Sequence, residues 1–523
     1  MDSRHPLPTG KIMTHCCPCG HDHGASPGAA GFDRRVFLGG MSGAALGIAA
    51  LSGLSWASGV QSAELPAAPP RKAIKVKPVF LYQLYKKAPQ TSWRPWGGVQ
   101  TEDDVQAEAA RIDGELKALQ SKADFPMEIA PLTATRSAAE LAAMPDVQQA
   151  DVLLVYACDG DLNQIAALKK DTVFFIRHKS GPVYLYYEII SPRFLRQHTD
   201  ELKVPGMDND DVVVDDYEEV LWRLRALCGL KNSRNARIVA VGGAGGWAQP
   251  SQVITDLVKK TWGLEILEVT YPDLKKMIEE ARADAAAVAL AEKRTDDYLG
   301  DPNVKLETDR VFLRNAFLLE HVFRKIMQQA DCRMITVMHC MGTIMPVAET
   351  SACMALSTLN DDGYLAFCES DFVVIPSGIL MASISGKPPF LNDPTYPHHG
   401  IITLAHCTAP RKMNGKDVEP VRVMTHFESD YGAAPKVEMS NGAVVTNILP
   451  DFQSRRWVGL LGEIVAHPLL PICRSQIDIA FKCDNKLLAD RMPGFHWMTV
   501  YGDYLKEAAY AAKRVGIQVE ILG

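Results

Sequence analysis

Residues 236–246 read Ala-Arg-Ile-Val-Ala-Val-Gly-Gly-Ala-Gly-Gly, an apolar run that passes directly into a turn built almost entirely of glycine. A short apolar run followed by a turn signal is typical of a strand that is buried on both faces. The glycines permit the tight turn that leads from such a strand into a helix. This stretch predicts a layered α/β fold with parallel strands.

The glycine turn invites comparison with nucleotide-binding loops. Its glycines fall at positions 242, 243, 245 and 246, which do not match the G-x-G-x-x-G spacing, and the chain has no G-x-x-x-x-G-K-[ST] motif. Nucleotide binding is therefore the minor alternative, and a tight strand-to-helix turn is the favoured interpretation.

Apolar runs alternate with amphipathic runs on both sides of this stretch. The predicted strands are 75–83, 126–131, 151–157, 172–178, 183–190, 264–270, 334–339, 364–368 and 401–406. Helical periodicity predicts helices at 102–120, 137–145, 216–229, 273–294, 308–330 and 375–385. The alternation predicts Rossmann-like α/β layers with mostly parallel sheets.

The pattern changes from about residue 418. Short strands are predicted at 420–426, 435–440, 443–448, 456–465, 473–482 and 496–501, followed by a helix at 503–514 and a strand at 517–521. Asn441-Gly442 between two alternating runs is a strong hairpin signal. We therefore expect a linker at 64–74, an N-terminal α/β domain at 75–235, a second α/β domain at 236–417 and an antiparallel β-rich domain at 418–523.

Composition narrows the class of function. The 523 residues carry a formal net charge of -7, and 47% of them are hydrophobic. A nucleic-acid binder would need a basic face to neutralise phosphates, so this class is disfavoured. The composition is that of a soluble protein and favours a small-molecule substrate.

The N-terminal residues carry a targeting pattern. Arg34-Arg35 precede Phe37 and Leu38, and an uncharged stretch rich in Ala, Gly and Leu follows over 42–62. This is the pattern of a twin-arginine signal peptide, which predicts residues 1–63 as the signal, cleavage after Ala57 or near Ala63, and the Tat translocase as a partner. The mature chain is expected in the periplasm or otherwise exported.

The cysteines fit the same prediction. Three of the 12 lie at positions 16–19, and the other nine are scattered through apolar stretches. An odd number at irregular spacing does not predict a disulfide framework, and these side chains are interpreted as small buried hydrophobes. Folding in a reducing compartment before export would also let the cell load a metal where its supply is controlled.

Two short segments carry candidate chemistry. In Cys368-Glu369-Ser370-Asp371, the two carboxylates are two residues apart at the end of a predicted strand, where they would share a face and point into a crevice. Solvated strand ends or helix caps are the structural alternative. His496 lies in an aromatic strand, where a buried structural histidine competes with a metal ligand.

The order of several short motifs resembles the L-fucose/L-arabinose isomerase family. The motifs are Cys-Glu-x-Asp at 368–371, Ser-Gly-Lys-Pro-Pro-Phe-Leu-Asn-Asp at 385–393, Leu-Ala-His-Cys at 404–407, Gly462-Glu463, Cys-Arg-Ser-Gln at 473–476, Gly-x-His at 494–496 and Tyr-Gly-Asp at 501–503. The resemblance is clear over 330–523. Over 75–330 it is mainly an architectural likeness.

The resemblance implies a Mn²⁺ site made of one Glu, one Asp and one His. By position, Asp371 and His496 are the Asp and His ligands. The Glu ligand is expected twenty-odd residues before the Asp, which selects Glu349, with Glu369 as the alternative. The residues expected to bind sugar hydroxyls or support the ligands are Glu369, His406, Gln476 and Tyr501, with His398, His399 and His426 as competitors.

The implied function is metal-dependent aldose–ketose isomerisation of a free sugar or sugar derivative through an enediol, with Glu349 and Asp371 transferring the proton. A hard cation stabilises the charge that develops on the two sugar oxygens. The alternatives are another metal-dependent carbohydrate-active enzyme on the same fold and a non-catalytic sugar-binding protein. An intact Glu–Asp–His set favours an enzyme. The resemblance also implies a homo-oligomer.

Overall fold

A computed structural model describes residues 49–51, 53–56, 65–94, 99–160, 162–184, 209–247, 249–453 and 455–523. The twin-arginine pair, the two cleavage points and most of the predicted strand 183–190 lie outside these residues. Export and the Tat partner therefore stay predictions. Among the described residues, no helix is both long enough and apolar enough to cross a membrane.

Two short pieces of the predicted signal segment are described. Ala49–Ala50 forms a parallel strand beside Glu265–Val269. Trp56 is buried, and its indole Nε1 donates to Asp284 Oδ2 at 2.7 Å. These residues therefore contact the second α/β layer.

The first α/β layer is a six-stranded parallel sheet, as predicted. Ile74–Leu81 pairs in parallel with three strands, Met127–Ile129, Thr133–Thr135 and Val152–Ala157, and two more strands extend the sheet beyond Val152–Ala157. The sheet order is Met127–Ile129, Ile74–Leu81, Val152–Ala157, Asp171–Ile176 and Val212–Val214. The helices of this layer are Glu102–Lys122, Pro145–Gln149, Leu162–Ala167 and Tyr217–Ser233. The segment predicted as a helix at 137–145 forms a 3₁₀ turn at Ala138–Ala143 instead.

The second layer is also a parallel sheet, and it contains the strand Arg237–Val241 that precedes the glycine turn. Its order is Ala49–Ala50, Glu265–Val269, Arg237–Val241, Met334–Val337 and Leu365–Phe367. Its helices are Ser251–Trp262, Tyr271–Ala283, Ala285–Leu299, Arg310–Gln329, Cys340–Ala348, Cys353–Asp361 and Ile375–Ser385. The helix predicted over 273–294 is two helices, because Asp284 ends the first and caps the second by accepting from Ala286 N at 2.9 Å.

The third unit is an antiparallel sheet that closes on itself. Its order is Val444–Pro450, Trp497–Tyr501, Phe390–Pro394, Ile401–His406, Ser475–Phe481, Arg456–Ala466 and Gln518–Leu522. Pairing of Val444–Pro450 with Arg456–Ala466 closes six of these strands into a barrel, and Gln518–Leu522 adds to it in parallel. The helices Asn485–Arg491 and Leu505–Lys513 accompany it. The barrel begins at Phe390, earlier than the predicted boundary at 418, because two apolar strands after the helix Ile375–Ser385 pair with strands far along the chain.

The predicted hairpin at Asn441-Gly442 is wrong. The preceding strand, Tyr431–Val437, belongs to a separate three-stranded sheet with Val421–His426 and Val304–Leu306. The following strand, Val444–Pro450, enters the barrel. The dipeptide does form a turn, with Gly442 at φ +82°, but the turn connects two sheets. Local turn chemistry fixes the bend and does not fix which strands pair.

Close helix packing at Gly229 is a testable feature of this fold. A Cβ at Gly229 would lie 2.3 Å from Ile384 Cγ1, where the helices Tyr217–Ser233 and Ile375–Ser385 cross. We expect Gly229→Ala to lower the free energy of unfolding by about 1–3 kcal/mol through overpacking. The urea midpoint followed by tryptophan fluorescence measures this. Gly114→Ala is the matched control, because a Cβ there meets nothing within 4 Å and the change favours the helix; equal midpoints for the two variants would contradict the prediction.

Candidate functional site

A cavity of about 440 Å³ lies where the second parallel sheet meets the barrel. Three loops reach it from the carboxyl ends of adjacent strands, namely those after Arg237–Val241, Met334–Val337 and Leu365–Phe367. Crevices outside the carboxyl ends of parallel strands are the usual ligand positions in such sheets. The lining residues used below are Trp247, Cys353, Cys368, Glu369, Asp371, Cys407, His426 and His496.

The carboxylates of Glu369 and Asp371 are presented by a turn. The strand ends at Phe367, and Glu369 and Ser370 both have positive φ, at +65° and +46°. Consecutive non-glycine residues in this region are strained and persist only when the surroundings hold them. Here Gly245 N donates to Ser370 O at 3.1 Å, and Phe372 N donates to Gly245 O at 2.8 Å. The strand alternation used in the prediction does not apply, although both side chains do reach the cavity.

Asp371 holds His496 in place. His496 Nδ1 lies 2.6 Å from Asp371 Oδ2, and Asp371 Oδ1 accepts from Val373 N at 3.0 Å. A carboxylate that accepts from one ring nitrogen fixes the tautomer and directs the other nitrogen toward a ligand. The geometry therefore gives Asp371 a positioning role.

The second ring nitrogen of His496 faces more carboxylates. His496 Nε2 lies 3.1 Å from Asp393 Oδ1 and 3.3 Å from Glu369 Oε2, while His406 Nε2 lies 3.6 Å from Glu369 Oε1. We call these four residues the carboxylate–histidine cluster. Asp393 comes from the strand Phe390–Pro394, His406 from the end of Ile401–His406, and His496 immediately precedes Trp497–Tyr501. The barrel therefore supplies three of the four groups and the parallel sheet supplies one.

Several polar atoms of the cluster are buried without a hydrogen bond. Asp393 Oδ1, His406 Nε2 and His496 Nε2 have no hydrogen-bond partner among the described residues. Leaving such an atom unsatisfied costs about 1–3 kcal/mol. The same three residues place their ligand atoms within 4.8 Å of one another. Oxygen and imidazole donors that converge in this way fit a divalent cation such as Mn²⁺.

The charges within the cluster stabilise one another. Burial would lower the pKa of His496, but Asp393, Asp371 and Glu369 outweigh this effect and hold the pKa well above its usual range. Burial would raise the pKa of Glu369, but the close contacts and the charges of His406 and His496 hold it well below its usual range. In the same way, Glu369 and Asp393 raise the pKa of His406 against the effect of burial. The acidic groups of the cluster thus make this position favourable for positive charge.

The structure brings together four of the predicted residues, Glu369, Asp371, His406 and His496. It adds Asp393, to which the sequence analysis assigned no role. Glu369 precedes Asp393 by the twenty-odd residues that the family resemblance implies for its Glu and Asp ligands. If Asp393, the last residue of the 385–393 motif, is taken as the Asp of this pair, the same offset leads back to Glu369.

Glu349, which the sequence analysis expected as a metal ligand, does not lie at this site. It ends the helix Cys340–Ala348 in the left-handed region, at φ +53°, and 59% of its side chain is exposed. Its Oε1 lies 3.2 Å from Arg282 Nη1, and it does not line the cavity. Glu349 is therefore a surface residue, and of the two candidate glutamates only Glu369 lines the cavity.

Gln476 and Tyr501 also lie away from the cavity. The Gln476 amide is hydrogen-bonded to the backbone: Oε1 accepts from Leu470 N at 2.8 Å, and Nε2 donates to Leu470 O and Cys473 O. Tyr501 donates to Glu419 Oε1 at 3.2 Å. Both side chains stabilise the barrel and do not contact the cluster.

The three competing histidines differ in whether they reach the cavity. His398 and His399 are exposed, and neither lines the cavity. His426 lines it and is buried, and burial together with His406 and Arg474 lowers its pKa to about 4. His426 is therefore a neutral imidazole at ordinary pH.

A scan of protein-family models finds no match to this chain, and a search of curated proteins finds no significant match either.

Proposed function

We propose that this chain is a metal-dependent aldose–ketose isomerase that acts on a free sugar or a sugar derivative. The observation that supports it is the carboxylate–histidine cluster beside a cavity, with three buried donor atoms that lack hydrogen-bond partners among the described residues. The presence of a Glu, an Asp and a His in one cluster favours an enzyme over a non-catalytic sugar-binding protein.

Glu369, Asp393 and His496 are the proposed metal ligands, with His406 as a further donor. This set replaces the Glu349, Asp371 and His496 expected from the sequence. Oxygen and imidazole ligands suit Mn²⁺ or another divalent cation. When bound, such a cation stabilises the negative charge that builds on neighbouring sugar oxygens.

Glu369 is the proposed proton-transfer group. Its carboxylate lines the cavity, so in this proposal it accepts the proton from C2 of an aldose and returns it to C1, while the hydroxyl proton passes from O2 to O1. Asp371 also lines the cavity, but its two oxygens are engaged by His496 and by the Val373 amide. Asp371 therefore serves to orient His496.

The cavity also offers a surface for the carbon skeleton of a sugar. Trp247 is partly exposed, lines the cavity and stacks on Phe495 with ring centroids 4.7 Å apart. A fixed aromatic face with a few convergent polar groups is the usual composition of a small-molecule site. An aldose would place its C–H face on Trp247 and its hydroxyls toward the cluster.

The experiment is a screen of aldoses in D₂O with the chelated and Mn²⁺-loaded protein. We expect Mn²⁺-dependent ketose formation with deuterium at C1, because a carboxylate that carries the proton exchanges it with solvent. Glu349→Gln is the matched control and should behave as wild type. Bound Mn²⁺ with no conversion of any aldose would contradict the isomerase proposal and favour another metal-dependent activity on the same fold.

A further inference from the structure

A second group of side chains around the cavity has sulfur chemistry. Cys353, Cys368, Cys407 and His426 all line the cavity and are all buried. Sγ of Cys353, Sγ of Cys407 and a ring nitrogen of His426 lie within 4.8 Å of one another. We call these four residues the thiol–imidazole cluster. The sequence analysis interpreted the cysteines as small buried hydrophobes and did not predict this cluster, because its three cysteines are far apart in the sequence.

Each member comes from a different element. Cys353 is the first residue of the helix Cys353–Asp361, Cys368 follows the strand Leu365–Phe367, and Cys407 follows the strand Ile401–His406. His426 ends the strand Val421–His426 of the small sheet. Side chains that converge from four elements are placed by the tertiary fold.

The donor atoms contact one another. Side-chain contacts connect the Cys407 thiol to the thiols of Cys353 and Cys368. No disulfide joins cysteines in the part of the chain that the structure describes. His426 Nδ1 is 3.1 Å from Ser429 Oγ, which leaves Nε2 as the nitrogen for coordination. Closed tetrahedral zinc sites use Cys₃His sets of this composition.

The spacing also fits a metal. Tetrahedral Zn²⁺, with bonds of about 2.3 Å to sulfur and about 2.0–2.1 Å to nitrogen, places its ligand atoms about 3.5–3.8 Å apart. The donors of Cys353, Cys407 and His426, already within 4.8 Å of one another, therefore need only about 1 Å of side-chain adjustment. Metal binding releases one proton from each thiol that becomes a thiolate ligand.

We propose that Cys353, Cys407 and His426, with Cys368 as the fourth donor, bind a thiophilic transition-metal ion such as Zn²⁺. The site has a different donor set from the carboxylate–histidine cluster and does not depend on the proposed isomerase activity, although Sγ of Cys368 also lies within 4.8 Å of ligand atoms of Glu369 and His406. Two dipeptides, Cys368-Glu369 and His406-Cys407, each supply one residue to each cluster. The two clusters therefore share backbone, and a soft ion and a hard ion would lie beside the same cavity.

The experiment uses the full chain, purified under reducing conditions, stripped with chelator and titrated with Co²⁺ and then with Zn²⁺. We expect thiolate-to-cobalt charge-transfer absorption that one equivalent of Zn²⁺ removes. Cys353→Ser and Cys407→Ser should each weaken Zn²⁺ binding at least 100-fold and abolish this absorption. Cys228→Ser, a buried cysteine outside the cavity, is the matched control and should leave both readouts unchanged.

Two results would overturn the proposal. One is Zn²⁺ bound by wild type and retained by a Cys353→Ser/Cys407→Ser variant that is folded by circular dichroism. The other is the lack of any thiolate-to-cobalt absorption in reduced wild type. This result overturns the proposal also if peptide mapping of the oxidised protein finds a Cys353–Cys407 disulfide. Mn²⁺ content, measured in the same samples, reports the carboxylate–histidine cluster, so failure of one site is distinguishable from failure of the other.

Discussion

Glu369→Gln is expected to abolish the proposed tight Mn²⁺ binding and to lower the proposed isomerase activity by about 10²–10⁴-fold. The amide keeps the shape of the side chain but removes the negative charge that faces His406 and His496. It also cannot accept the proton from the sugar carbon, and loss of a general base costs about this factor. One substitution thus removes a ligand and the proposed proton-transfer group together.

Metal content by mass spectrometry and initial rates measure the effect. Glu349→Gln removes the same charge from the surface position and should retain full metal content and activity. Asp371→Asn should give an intermediate result, a 10–100-fold loss of Mn²⁺ affinity, because it removes the group that orients His496. Full metal content in both Glu369→Gln and His496→Ala would show that the metal binds elsewhere.

Glu320→Gln is expected to be the most destabilising of the substitutions considered, with a loss of about 3–5 kcal/mol in the free energy of unfolding. Glu320 is fully buried in the helix Arg310–Gln329. Arg294 donates to its Oε2 at 2.7 Å, and Arg324 Nε donates to its Oε1 at 2.9 Å. In the Glu320→Gln variant the guanidinium groups of Arg294 and Arg324 would share only one carboxylate, that of Asp362. Breaking a buried ion pair by removing one partner costs this much because a charge is left uncompensated.

Urea unfolding followed by circular dichroism measures the loss. Asp297→Asn is the matched control, because it removes the same charge from an exposed pair with Lys293 in the neighbouring helix Ala285–Leu299. Exposed pairs contribute at most about 1 kcal/mol, so its midpoint should stay near that of wild type. Equal shifts for the two variants would mean that the Glu320 network does not carry the stability assigned to it.

The parallel layers were predictable because their signals are local. The run Arg237–Val241 is apolar enough to identify a strand buried on both faces, and the glycines after it identify a turn. The helices Tyr217–Ser233 and Arg310–Gln329 were found for the same reason, since helical periodicity is contained in the segment itself. Strand pairing in the barrel was not predictable in this way, and the Asn441-Gly442 dipeptide led to a hairpin that does not form.

The candidate site was predictable only in part. His496 and Glu369 lie in short motifs whose order along the chain resembles that of a known family, so the sequence identified both as candidate site residues. The choice of Glu349 over Glu369, and the omission of Asp393, followed from taking Asp371 as the ligand that fixes the offset. Only the 2.6 Å contact between Asp371 and His496 Nδ1 indicates that Asp371 orients His496.

The sequence by itself determined the α/β class, most helices and strands, and a small set of candidate acids and histidines, because these depend on periodicity and residue type over short distances. The tertiary structure decided which candidates meet. The strand Phe390–Pro394 brings Asp393 to His496 through barrel pairing, and the helix Cys353–Asp361 brings Cys353 to Cys407 and His426. Such contacts join residues far apart in the chain, and they depend on burial and strand register, which a local pattern does not contain.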